Sequence, residues 1–533
     1  MSAPRDEGFV VLRFFVFLTA VLYVSCSPLA DPADLLMQCL QDYFPESYPF
    51  SGVVYLQNSS SFQSVAQSYA RNSRFLSSSI LNPSAVIVAK NDAHVKGTVI
   101  CSKKVSLEIR IRSGGHDYEG LSYVSKVPYV ILDLYDLRSI SLNLKDKTAW
   151  IDTGATTGEL YYAIANATKT YAFPAGVCTM LGAGGHFSGG GYGNLMRKYG
   201  LSVDNIIDAK IVNVNGEILD RKLMGEDLFW AIRGGGGASF GVILSWKIKL
   251  VPVPERVTGF SFSRTLEQGA TDLVVKWQQV ADTIDDDLFI RLQITAANGT
   301  QPGKKTVSAN FVALFLGQTP RLLSVMNESF PELGLREKDC IEMSWVESLL
   351  FYFGVPKNTS IDFLLQRGLD KKFFFKRKSD FVRESIPKEG LEAVWEKVIE
   401  AGSVMMQWNP YGGMMARINE SATPFPHRAG IKFKVQYIVN WFAENATKAN
   451  LDQTDAVYDA MTPYVSKSPR EAFLNYRDLD IGINRDGKFC EAEVYGLKYF
   501  KGNFDRLVRV KTAVDPENFF KNEQSIPTLS KNY

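Results

Sequence analysis

The first half of the chain alternates short apolar runs with segments of helical character. The strands that these runs predict are residues 84–89, 107–112, 130–134, 149–153 and 242–250. The helices that the pattern predicts are residues 32–42, 94–103, 158–167 and 226–233. Residues 209–214 and 217–219 flank an Asn-Gly pair, which favours a two-residue hairpin turn at Asn215 and Gly216. We therefore expect a first unit that mixes strands with helices and ends near residue 250.

The run PVPERV at 252–257 marks a boundary in this pattern. From about residue 258 to 464, long alternating segments and helices predict a second α+β unit, in which residues 433–441 are the clearest strand. The last part of the chain is basic and aromatic, with a predicted helix over 503–514 that stops before Pro516. A chain of 533 residues is too long for one ordinary core, so at least two domains are expected.

The composition is that of an ordinary globular protein, with 46% hydrophobic and 22% charged residues and a net charge of +2. This balance argues against a nucleic-acid partner and against a strongly basic protein of membrane surfaces. The four histidines are widely spaced, and neither Cys-x-x-Cys nor His-x-x-x-His occurs. No metal site is therefore predicted.

The N-terminus has the pattern of a secretory signal. Arg5 precedes an apolar run whose uninterrupted part, residues 14–26, is too short for a membrane span, and small residues follow. We predict that residues 1–28 are a signal peptide, with a retained anchor as the alternative. No later stretch is long and apolar enough to span a bilayer, so we expect a secreted protein with no membrane segment in its mature form.

Two further features are consistent with export. Seven Asn-x-Ser/Thr sequons are candidate glycosylation sites. They are Asn58, Asn166, Asn298, Asn327, Asn358, Asn419 and Asn445. If Cys26 leaves with the signal, five cysteines remain. Because this number is odd, one thiol is expected to do something other than form an internal disulfide.

Glycines cluster in three places, RSGGHDYEG at 112–120, LGAGGHFSGGGYG at 181–193 and RGGGGASFG at 233–241. Glycine allows backbone N–H groups to approach a ligand closely, and several such turns together can bind a pyrophosphate. One cluster alone would be read as a tight surface turn, but three of them favour a nucleotide cofactor. None matches G-x-G-x-x-G or the Walker pattern, so neither a Rossmann site nor an NTPase is predicted.

Six motifs resemble the berberine-bridge-enzyme-like family of plants, and the resemblance runs from about residue 35 to the end. The motifs are IRIRSGGHDYEGLSYVS at 109–125, PAGVCTMLGAGGHFSGGGYG at 174–193, RKYGLSVDNIIDA at 197–209, GEDLFWAIRGGGG at 225–237, NYRDLDIGIN at 475–484 and YFKGNFDRLVRVKTAVDPENFF at 499–520. The resemblance implies the α+β fold of vanillyl-alcohol oxidase, with a two-part FAD-binding domain of the PCMH type and an inserted α+β substrate domain.

The implied domains follow the boundaries already seen in the pattern. The FAD-binding domain would begin with residues 29–252, of which about 76–252 form the PCMH-type core. Residues 253–474 would form the substrate domain, and residues 475–533 would return to the FAD domain.

The resemblance also implies two covalent bonds to FAD. His116 corresponds to the histidine bonded to the flavin 8α methyl group, and Cys178 to the cysteine bonded at flavin C6. Two tethers fix the ring and raise its reduction potential, which favours taking hydride from a reluctant donor. Cys39 and Cys101 correspond to the family's disulfide. Cys340 and Cys490 receive no role and are expected to be free and buried.

Further FAD contacts are expected from the same motifs. These residues are Arg112, Ser113, Gly114, Gly115, Gly182, Gly185, His186, Gly190, Asn205 and Val242. His186 is expected near the flavin, stabilising negative charge on the reduced ring, with a hydrogen-bonded core histidine as the alternative. Oxygen-using members commonly carry valine three residues after the cysteine, where this chain has Leu181. The bulkier side chain predicts exclusion of oxygen and an acceptor other than O2.

The substrate side is predicted from the strand FKVQYIVNW, whose alternation puts Lys434 and Gln436 on one face. The resemblance places this face over the flavin. Alkaloid-bridging members carry glutamate where this chain has Gln436, and glutamine cannot act as a general base. Alcohol-oxidising members instead have Lys and Gln two residues apart with tyrosines nearby, here Tyr118, Tyr192 and Tyr476.

The mechanistic hypothesis is that Tyr476 or Tyr118 removes the substrate's hydroxyl proton while hydride passes to the flavin. An unperturbed tyrosine has a pKa near 10, and a Lys434 cation nearby is expected to lower that pKa.

The function that fits best is a secreted, monomeric FAD-linked oxidoreductase of CH–OH groups. Its substrate would be a monolignol-like allylic alcohol or a hydroxyl of a sugar or oligosaccharide, and its acceptor O2 or another oxidant. The cell wall or apoplast is the expected location, with the vacuole left open. One alternative is an oxidative cyclase of specialised metabolism, of the alkaloid or cannabinoid type. Another is a secreted flavoprotein without enzymatic activity.

Overall fold

The computed structural model describes residues 31–46, 50–77, 79–368, 372–485 and 487–529, so the predicted signal at 1–28 lies outside the described part. The strands are β1 Val54–Leu56, β2 Ala85–Val88, β3 Glu108–Arg112, β4 Tyr129–Asp133, β5 Ile140–Asn143, β6 Thr148–Asp152, β7 Tyr171–Ala172, β8 Ile206–Val212, β9 Ile218–Leu219, β10 Val242–Lys249, β11 Val251–Pro252, β12 Val257–Thr265, β13 Leu288–Asn298, β14 Lys305–Phe315, β15 Cys340–Met343, β16 Phe374–Val382, β17 Met405–Pro410 and β18 Phe433–Trp441.

The α-helices alternate with these strands in an α+β arrangement, as predicted. They are α1 Pro32–Gln41, α2 Phe62–Gln67, α3 Asp92–Lys104, α4 Thr157–Ala167, α5 Ala183–Ser188, α6 Met196–Tyr199, α7 Arg221–Ile232, α8 Ala270–Val280, α9 Thr319–Ser329, α10 Trp345–Phe353, α11 Lys388–Ala401, α12 Met414–Arg417, α13 Thr447–Ala460, α14 Phe489–Phe500 and α15 Phe504–Val514. Among the described residues, no helix combines the length and the hydrophobicity needed to cross a bilayer.

The first sheet has the order β1-β2-β4-β3, in which β4 pairs in parallel with both β2 and β3. Its central strand β4 is buried along its whole length, which explains the uninterrupted apolar run YVIL that predicted it. Helix α3 connects β2 to β3, and Asn91 caps its N-terminus by accepting the His94 N–H. The predicted disulfide between Cys39 and Cys101 is confirmed and joins α1 to α3.

The second sheet is antiparallel, in the order β5-β6-β10-β8-β9. The predicted two-residue turn between β8 and β9 is wrong, because pairing stops at Val212 and resumes at Ile218. The Asn213 side chain accepts the N–H groups of Asn215 and Glu217 and so closes a five-residue loop over 213–217.

The other predicted elements agree with the structure to within three residues, except for the helix at 226–233. That helix begins five residues earlier, at Arg221, because Asp220 caps it by accepting the Leu223 N–H. The chain then bends at Gly225, whose φ of 68° is left-handed. The apolar periodicity therefore located only the second half of α7.

A seven-stranded antiparallel sheet occupies residues 257–441 in the order β15-β12-β14-β13-β17-β18-β16. The strand predicted at 433–441 is confirmed as β18 at both ends. Its alternation also holds. Val435 and Tyr437 pack in one core with Trp277 of α8 and Trp395 of α11, whereas Lys434 and Gln436 point to the opposite side.

The C-terminal helices α14 and α15 return to the first half of the chain. Helix α15 packs on α7, and Arg506 pairs with Asp227 at 2.6 Å. Lys511 is fully buried and donates hydrogen bonds to the Ser239 carbonyl at 2.7 Å and to Asp515 at 2.6 Å. The C-terminal segment thereby supports the glycine-rich segment 233–241.

Two predictions concern the surface. All seven sequon asparagines are exposed, which leaves glycosylation at these sites sterically open. The expectation that Cys340 and Cys490 are buried is wrong, because Cys340 is half-buried on β15 and Cys490 is exposed on α14. Both are free thiols, as expected.

Candidate functional site

A cavity of about 590 Å³ lies between the glycine clusters of the first half and the seven-stranded sheet. The three glycine clusters begin at residues 112, 181 and 233. As predicted, they converge on this cavity. The glycines of these clusters that line it are Gly114, Gly115, Gly182, Gly184, Gly185, Gly189, Gly235, Gly236, Gly237 and Gly241. Side chains from β16, β17, β18 and the segment after residue 472 complete the wall.

Two of these glycines let backbone pack directly on backbone. A Cβ on Gly114 would lie 2.4 Å from the Gly182 nitrogen, and a Cβ on Gly182 would lie 2.3 Å from the Gly114 nitrogen. Gly185 differs, because no atom lies within 4 Å of the place where its Cβ would be. A side chain there would project into open space beside the cavity wall. Close backbone turns around a space free of side chains suit a nucleotide cofactor.

His116 and Cys178 both line this cavity. The buried Nε2 of His116 has no hydrogen-bond partner among the described residues. Burial, helped by Arg71 and His186, lowers the pKa of His116 to about 3, so its imidazole is neutral and keeps a free lone pair. Cys178 is a free thiol. Burial raises its pKa, opposed by a backbone hydrogen bond from Met180 and by the Arg71 charge.

The Met180 backbone influences the pKa of both side chains, so this residue lies close to the two expected attachment points. The imidazole of His116 is neutral and has an unpartnered nitrogen, and the thiol of Cys178 is unpaired. Both groups face one glycine-lined space, which fits a cofactor held by two covalent bonds.

Four residues expected to contact FAD do not line the cavity: Arg112, Gly190, Asn205 and Val242. Arg112 is fully buried, and its guanidinium donates to Asp133 and to backbone carbonyls of residues 65 and 66. The amide of Asn205 donates to two backbone carbonyls, and Val242 lies in the hydrophobic core. The side chains of Arg112, Asn205 and Val242 therefore hold the fold, and FAD contacts at these residues and at Gly190 stay a prediction.

His186 combines both alternatives that the sequence left open. Its Nε2 accepts the Gly176 N–H at 2.9 Å, as in a core histidine, while the residue also lines the cavity. Burial and the nearby Lys434 lower its pKa to about 3. The ring is therefore neutral with its proton on Nδ1. Leu181 lies on the same wall, since a Cβ on Gly176 would be 2.8 Å from Leu181 Cδ1 and 3.0 Å from His186 Cε1.

The predicted catalytic side chains meet at one place. The hydroxyl groups of Tyr192 and Tyr476 are hydrogen-bonded to each other. The Nζ of Lys434 lies 3.3 Å from the ring centroid of Tyr192 and 4.5 Å from that of Tyr476. Phe473 supplies a third ring, 3.9 Å from the same Nζ. The lysine, 1% exposed, is thus enclosed by aromatic faces.

Burial dominates the pKa values in this cluster. It raises the pKa of Tyr476 well above 10, and the neighbouring Tyr192 and Tyr118 add to the effect. Burial likewise lowers the pKa of Lys434 well below 10.5, with a smaller contribution from Arg291. These directions are opposite to the prediction that a Lys434 cation lowers the tyrosine pKa. The three ring faces favour the ammonium form and oppose the shift at Lys434.

Gln436 is 4% exposed, and its Nε2 donates to the Tyr118 hydroxyl at 3.2 Å. The Tyr118 ring stacks on that of Tyr476 at a centroid distance of 5.9 Å. Burial raises the pKa of Tyr118 to about 12, although the Arg377 charge opposes this. Gln436 is thus a hydrogen-bond donor that holds one tyrosine against the other.

Several lining residues were missed by sequence reasoning. They are Tyr69, Arg71, Arg291, Phe373, Phe375, Arg377, Gln407 and Phe473. Period-two alternation in the run FFFKRKSDFV at 373–382 was a signal for Phe373, Phe375 and Arg377, which occupy alternate positions of one strand face. Arg71 carries no such signal, because it lies in an irregular segment before β2.

Comparisons with known proteins agree with this arrangement. A model of the FAD binding domain matches residues 83–221, and a model described as berberine and berberine like matches residues 472–527. Berberine bridge enzyme-like 3 of Arabidopsis thaliana is 54% identical over 497 residues, which cover 92% of this chain and 93% of the relative.

Solved structures superpose over nearly the whole described fold. The Bermuda grass isoallergen BG60 is 47% identical, with a TM-score of 0.87 over 93% of this chain and 100% of its own. Phl p 4, a grass pollen allergen with glucose dehydrogenase activity, is 43% identical, with a TM-score of 0.88 at the same coverage. The chain belongs to the berberine bridge enzyme-like family of FAD-dependent oxidoreductases.

Proposed function

We propose that this protein oxidises an alcohol to a carbonyl compound, using FAD attached to His116 and Cys178. The observation that carries the proposal is the cluster of Lys434, Tyr192 and Tyr476, whose tyrosines line the same cavity as both attachment residues. A buried lysine beside a hydrogen-bonded pair of phenols is a device for moving a proton, and alcohol oxidation requires removal of one hydroxyl proton.

The cofactor's part in this reaction is simple. When bound, FAD would supply the acceptor for the hydride that leaves the carbinol carbon. The glycine segments offer backbone N–H groups suited to its pyrophosphate. His186 is neutral with its proton on Nδ1, so it is suited to donate a hydrogen bond to negative charge.

Lys434 and Tyr476 act together as the proton acceptor. Because burial lowers the lysine pKa and raises the tyrosine pKa, the pair loses its first proton below the usual lysine pKa of about 10.4. In the form that remains, Tyr476 keeps its phenol proton and Lys434 is a neutral amine, so the pair carries no charge. It then accepts the substrate's hydroxyl proton and becomes phenol plus ammonium, a form that the ring faces around Lys434 stabilise.

The polar groups of the cavity favour hydroxyl-bearing substrates. Gln407 and Gln436 are uncharged side chains that line it, and both have an Nε2 that hydrogen-bonds a tyrosine hydroxyl. We propose a monolignol-like allylic alcohol or a sugar hydroxyl as substrate. The glucose dehydrogenase activity of Phl p 4 supports the sugar class. No glutamate occurs among the described residues that line the cavity, which disfavours bridge formation on alkaloids.

Leu181 bears on the electron acceptor. Wild-type Phl p 4 is a glucose dehydrogenase, whereas an isoleucine-to-valine variant of it is a glucose oxidase. One methylene at one position is therefore enough to change the use of oxygen in a relative. We propose that Leu181, on the cavity wall beside His186, restricts oxygen in the same manner and that the protein passes electrons to another acceptor.

Export is part of the proposal. The protein is secreted, acts as a monomer and is glycosylated in the wall or apoplast. The support for this is the signal-like N-terminus and the exposure of all seven sequon asparagines. Treatment of the native protein with an N-glycosidase, followed by mass spectrometry, tests the glycosylation directly.

The central experiment is anaerobic reduction of the flavin in purified holoenzyme by a panel of alcohols. Cinnamyl-type alcohols, glucose and short oligosaccharides are mixed with the protein, and bleaching of the oxidised flavin is followed. We expect at least one class to reduce the flavin and to support turnover with an artificial acceptor. A panel in which no alcohol bleaches the flavin, while dithionite does, would contradict the proposed function.

A further inference from the structure

The neighbours of Arg71 on both sides fix its backbone against the loop of the proposed flavin attachment. A Cβ on Gly115 would collide with the Tyr69 carbonyl oxygen, and Gly115 has a left-handed φ of 65°, so the two backbones meet without a side chain between them. The Asn72 Nδ2 donates to the Tyr118 carbonyl at 2.9 Å. Gly115 precedes and Tyr118 follows the attachment histidine, so Arg71 is held beside it.

The side chain of Arg71 reaches the same cavity as His116 and Cys178. Its Nη2 donates to the Arg367 carbonyl at 2.5 Å, and its buried Nε has no hydrogen-bond partner among the described residues. No carboxylate of the described residues pairs with this guanidinium. Although burial lowers its pKa, an arginine stays protonated at neutral pH, so Arg71 brings an uncompensated positive charge to the cavity.

This charge affects the two expected attachment residues differently. At His116, burial is the largest cause of a pKa near 3, so the imidazole stays neutral at pH 7 even without Arg71. At Cys178, burial raises the pKa of the thiol, and Arg71 is the only charge of the described residues that opposes it. Two tyrosines also influence the thiol, Tyr118 and Tyr161, but burial raises the pKa of both phenols, so they are neutral.

The expected bond at Cys178 requires a thiolate, because the thiol itself is a poor nucleophile. The lone pair of the thiolate would form the C–S bond to flavin C6, and the hydrogen of that carbon would leave as a proton. The electron pair of the broken C–H bond would stay on the flavin as its reduced form. O2 or another two-electron acceptor would then restore the oxidised flavin.

We propose that Arg71 promotes the bond between FAD and Cys178 by stabilising the Cys178 thiolate. The proposal rests on the proposed attachment of FAD at this residue. The hydrogen bond to the Arg367 carbonyl holds the guanidinium in place, but such a bond requires only a donor and no charge. A structural role for that contact therefore does not account for a buried cation without a carboxylate partner, whereas a role beside a reacting thiolate does.

The test follows formation of the Cys178 bond alone, in a His116→Ala parent. With one bond to form, the bound flavin itself receives the single electron pair, and no external oxidant limits the rate. Holoprotein is purified at intervals after induction, and peptide mass spectrometry gives the fraction of Cys178 that carries flavin. Each value is normalised to the flavin bound, measured by absorbance, so a variant that binds less cofactor is still measured.

Three substitutions in this parent separate the charge of Arg71 from its hydrogen bond. Arg71→Met removes both, Arg71→Gln keeps a donor without the charge, and Arg71→Lys keeps the charge. Lys372→Met is the matched control, because Lys372 also lines the cavity but is exposed, and its charge acts on neither attachment residue.

We expect the Cys178 bond to form about tenfold more slowly at pH 7 in Arg71→Met and Arg71→Gln, because loss of a nearby opposite charge raises a pKa by about one unit or more. Arg71→Lys and Lys372→Met should follow the parent. In the slow variants, raising the pH of the purified protein should speed up attachment, because more thiolate forms. Equal progress curves for Arg71→Gln and the parent would overturn the proposal, and so would an Arg71→Lys variant as slow as Arg71→Gln.

The attachment at His116 provides a second readout. In a Cys178→Ala parent, Arg71→Gln should leave the rate of attachment at His116 unchanged, because burial alone keeps the imidazole neutral. Equal slowing at both residues would indicate a damaged site and would overturn the specific role of Arg71.

The parent also separates this proposal from the proposed attachment. If flavin is never found on Cys178 in the wild type or in the His116→Ala parent, the proposed attachment itself fails. If Cys178 carries flavin in the parent and in Arg71→Gln at the same rate, the attachment stands and the role of Arg71 fails alone.

Discussion

The Nε of Arg477 donates to the Oδ2 of Asp117 at 2.9 Å, and each of these residues directly follows a residue of the proposed chemistry. Asp117 follows His116, and Arg477 follows Tyr476. The second carboxylate oxygen of Asp117 accepts the backbone N–H groups at positions 119 and 121, which orders the loop around His116. One ion pair therefore joins the loop of the proposed flavin attachment to the loop of the proposed proton acceptor.

Asp117→Asn should disturb the alignment of these two loops without releasing the cofactor from the cavity. The substitution keeps one hydrogen-bond acceptor but removes the charge opposite Arg477, so the two loops lose their strongest link. We expect the limiting rate of anaerobic flavin reduction to fall by about 10- to 100-fold, because misplacement by about 1 Å has effects of this size. The apparent substrate affinity should change much less.

The matched control for Asp117→Asn is Lys198→Met, which removes a partly buried ion pair to Asp287 at 2.7 Å outside the cavity. That variant should keep the wild-type rate of flavin reduction. Equal losses in both variants would indicate a general loss of stability, and a wild-type rate in Asp117→Asn would show that the ion pair does not align the site.

The pH dependence of flavin reduction tests the Lys434 and Tyr476 pair. The pair accepts a proton only after losing one, so the rate should rise with pH, and the midpoint should lie below 10.5 because burial lowers the Lys434 pKa. In Lys434→Met the acceptor is Tyr476 alone, whose pKa burial raises well above 10. The rising limb should move to higher pH, and the rate at pH 7 should fall by about 100-fold or more.

Lys434→Arg separates the two roles that the lysine could have. Arginine keeps a positive charge over the tyrosine rings but does not release its proton near neutral pH. If Lys434 acts by losing a proton, Lys434→Arg should be as slow as Lys434→Met at pH 7. A fast Lys434→Arg variant would instead support the original expectation, in which a permanent cation activates the tyrosine.

Covalent attachment is tested by denaturing the protein. His116→Ala and Cys178→Ala each leave one proposed tether, so each single variant should still show flavin fluorescence with the protein band on a denaturing gel. The double variant should release all its flavin. Release of the flavin from wild-type protein, or its retention by the double variant, would contradict attachment at these two residues, and peptide mass spectrometry identifies the site in either case.

Much of the fold was predictable because its signals are local. In the strand Phe433–Trp441, the alternation of side chains in the sequence matches the two faces of the folded strand. One face packs on the tryptophans of the core, and the other carries Lys434 and Gln436. The hairpin of β8 and β9 was predicted correctly, but its turn length was not, because the Asn213 side chain closes a longer loop, a contact that the Asn-Gly signal does not reveal.

The site was predictable to a smaller degree. Motifs located His116, Cys178 and the tyrosines, all of which reach the cavity. The same motifs suggested Arg112, whose guanidinium is fully engaged by Asp133, because a motif does not say which way a side chain points. Arg291 and Arg377 were missed, since they come from distant strands that only the assembled sheet brings to the cavity. The lowered pKa of Lys434 follows from its burial, and the sequence alone does not show that burial.

Leu181→Val should increase the reaction of the reduced enzyme with oxygen. Leu181 lines the cavity next to His186, and shortening it by one methylene leaves a small gap in a wall that is otherwise closely packed. We expect reoxidation of the reduced flavin in air-saturated buffer to accelerate by on the order of tenfold, which corresponds to about 1.4 kcal/mol of barrier. Stopped-flow absorbance after anaerobic reduction measures this rate. Leu181→Ile, which keeps the volume, should remain slow, and rapid reoxidation of the wild type would show that Leu181 does not restrict oxygen.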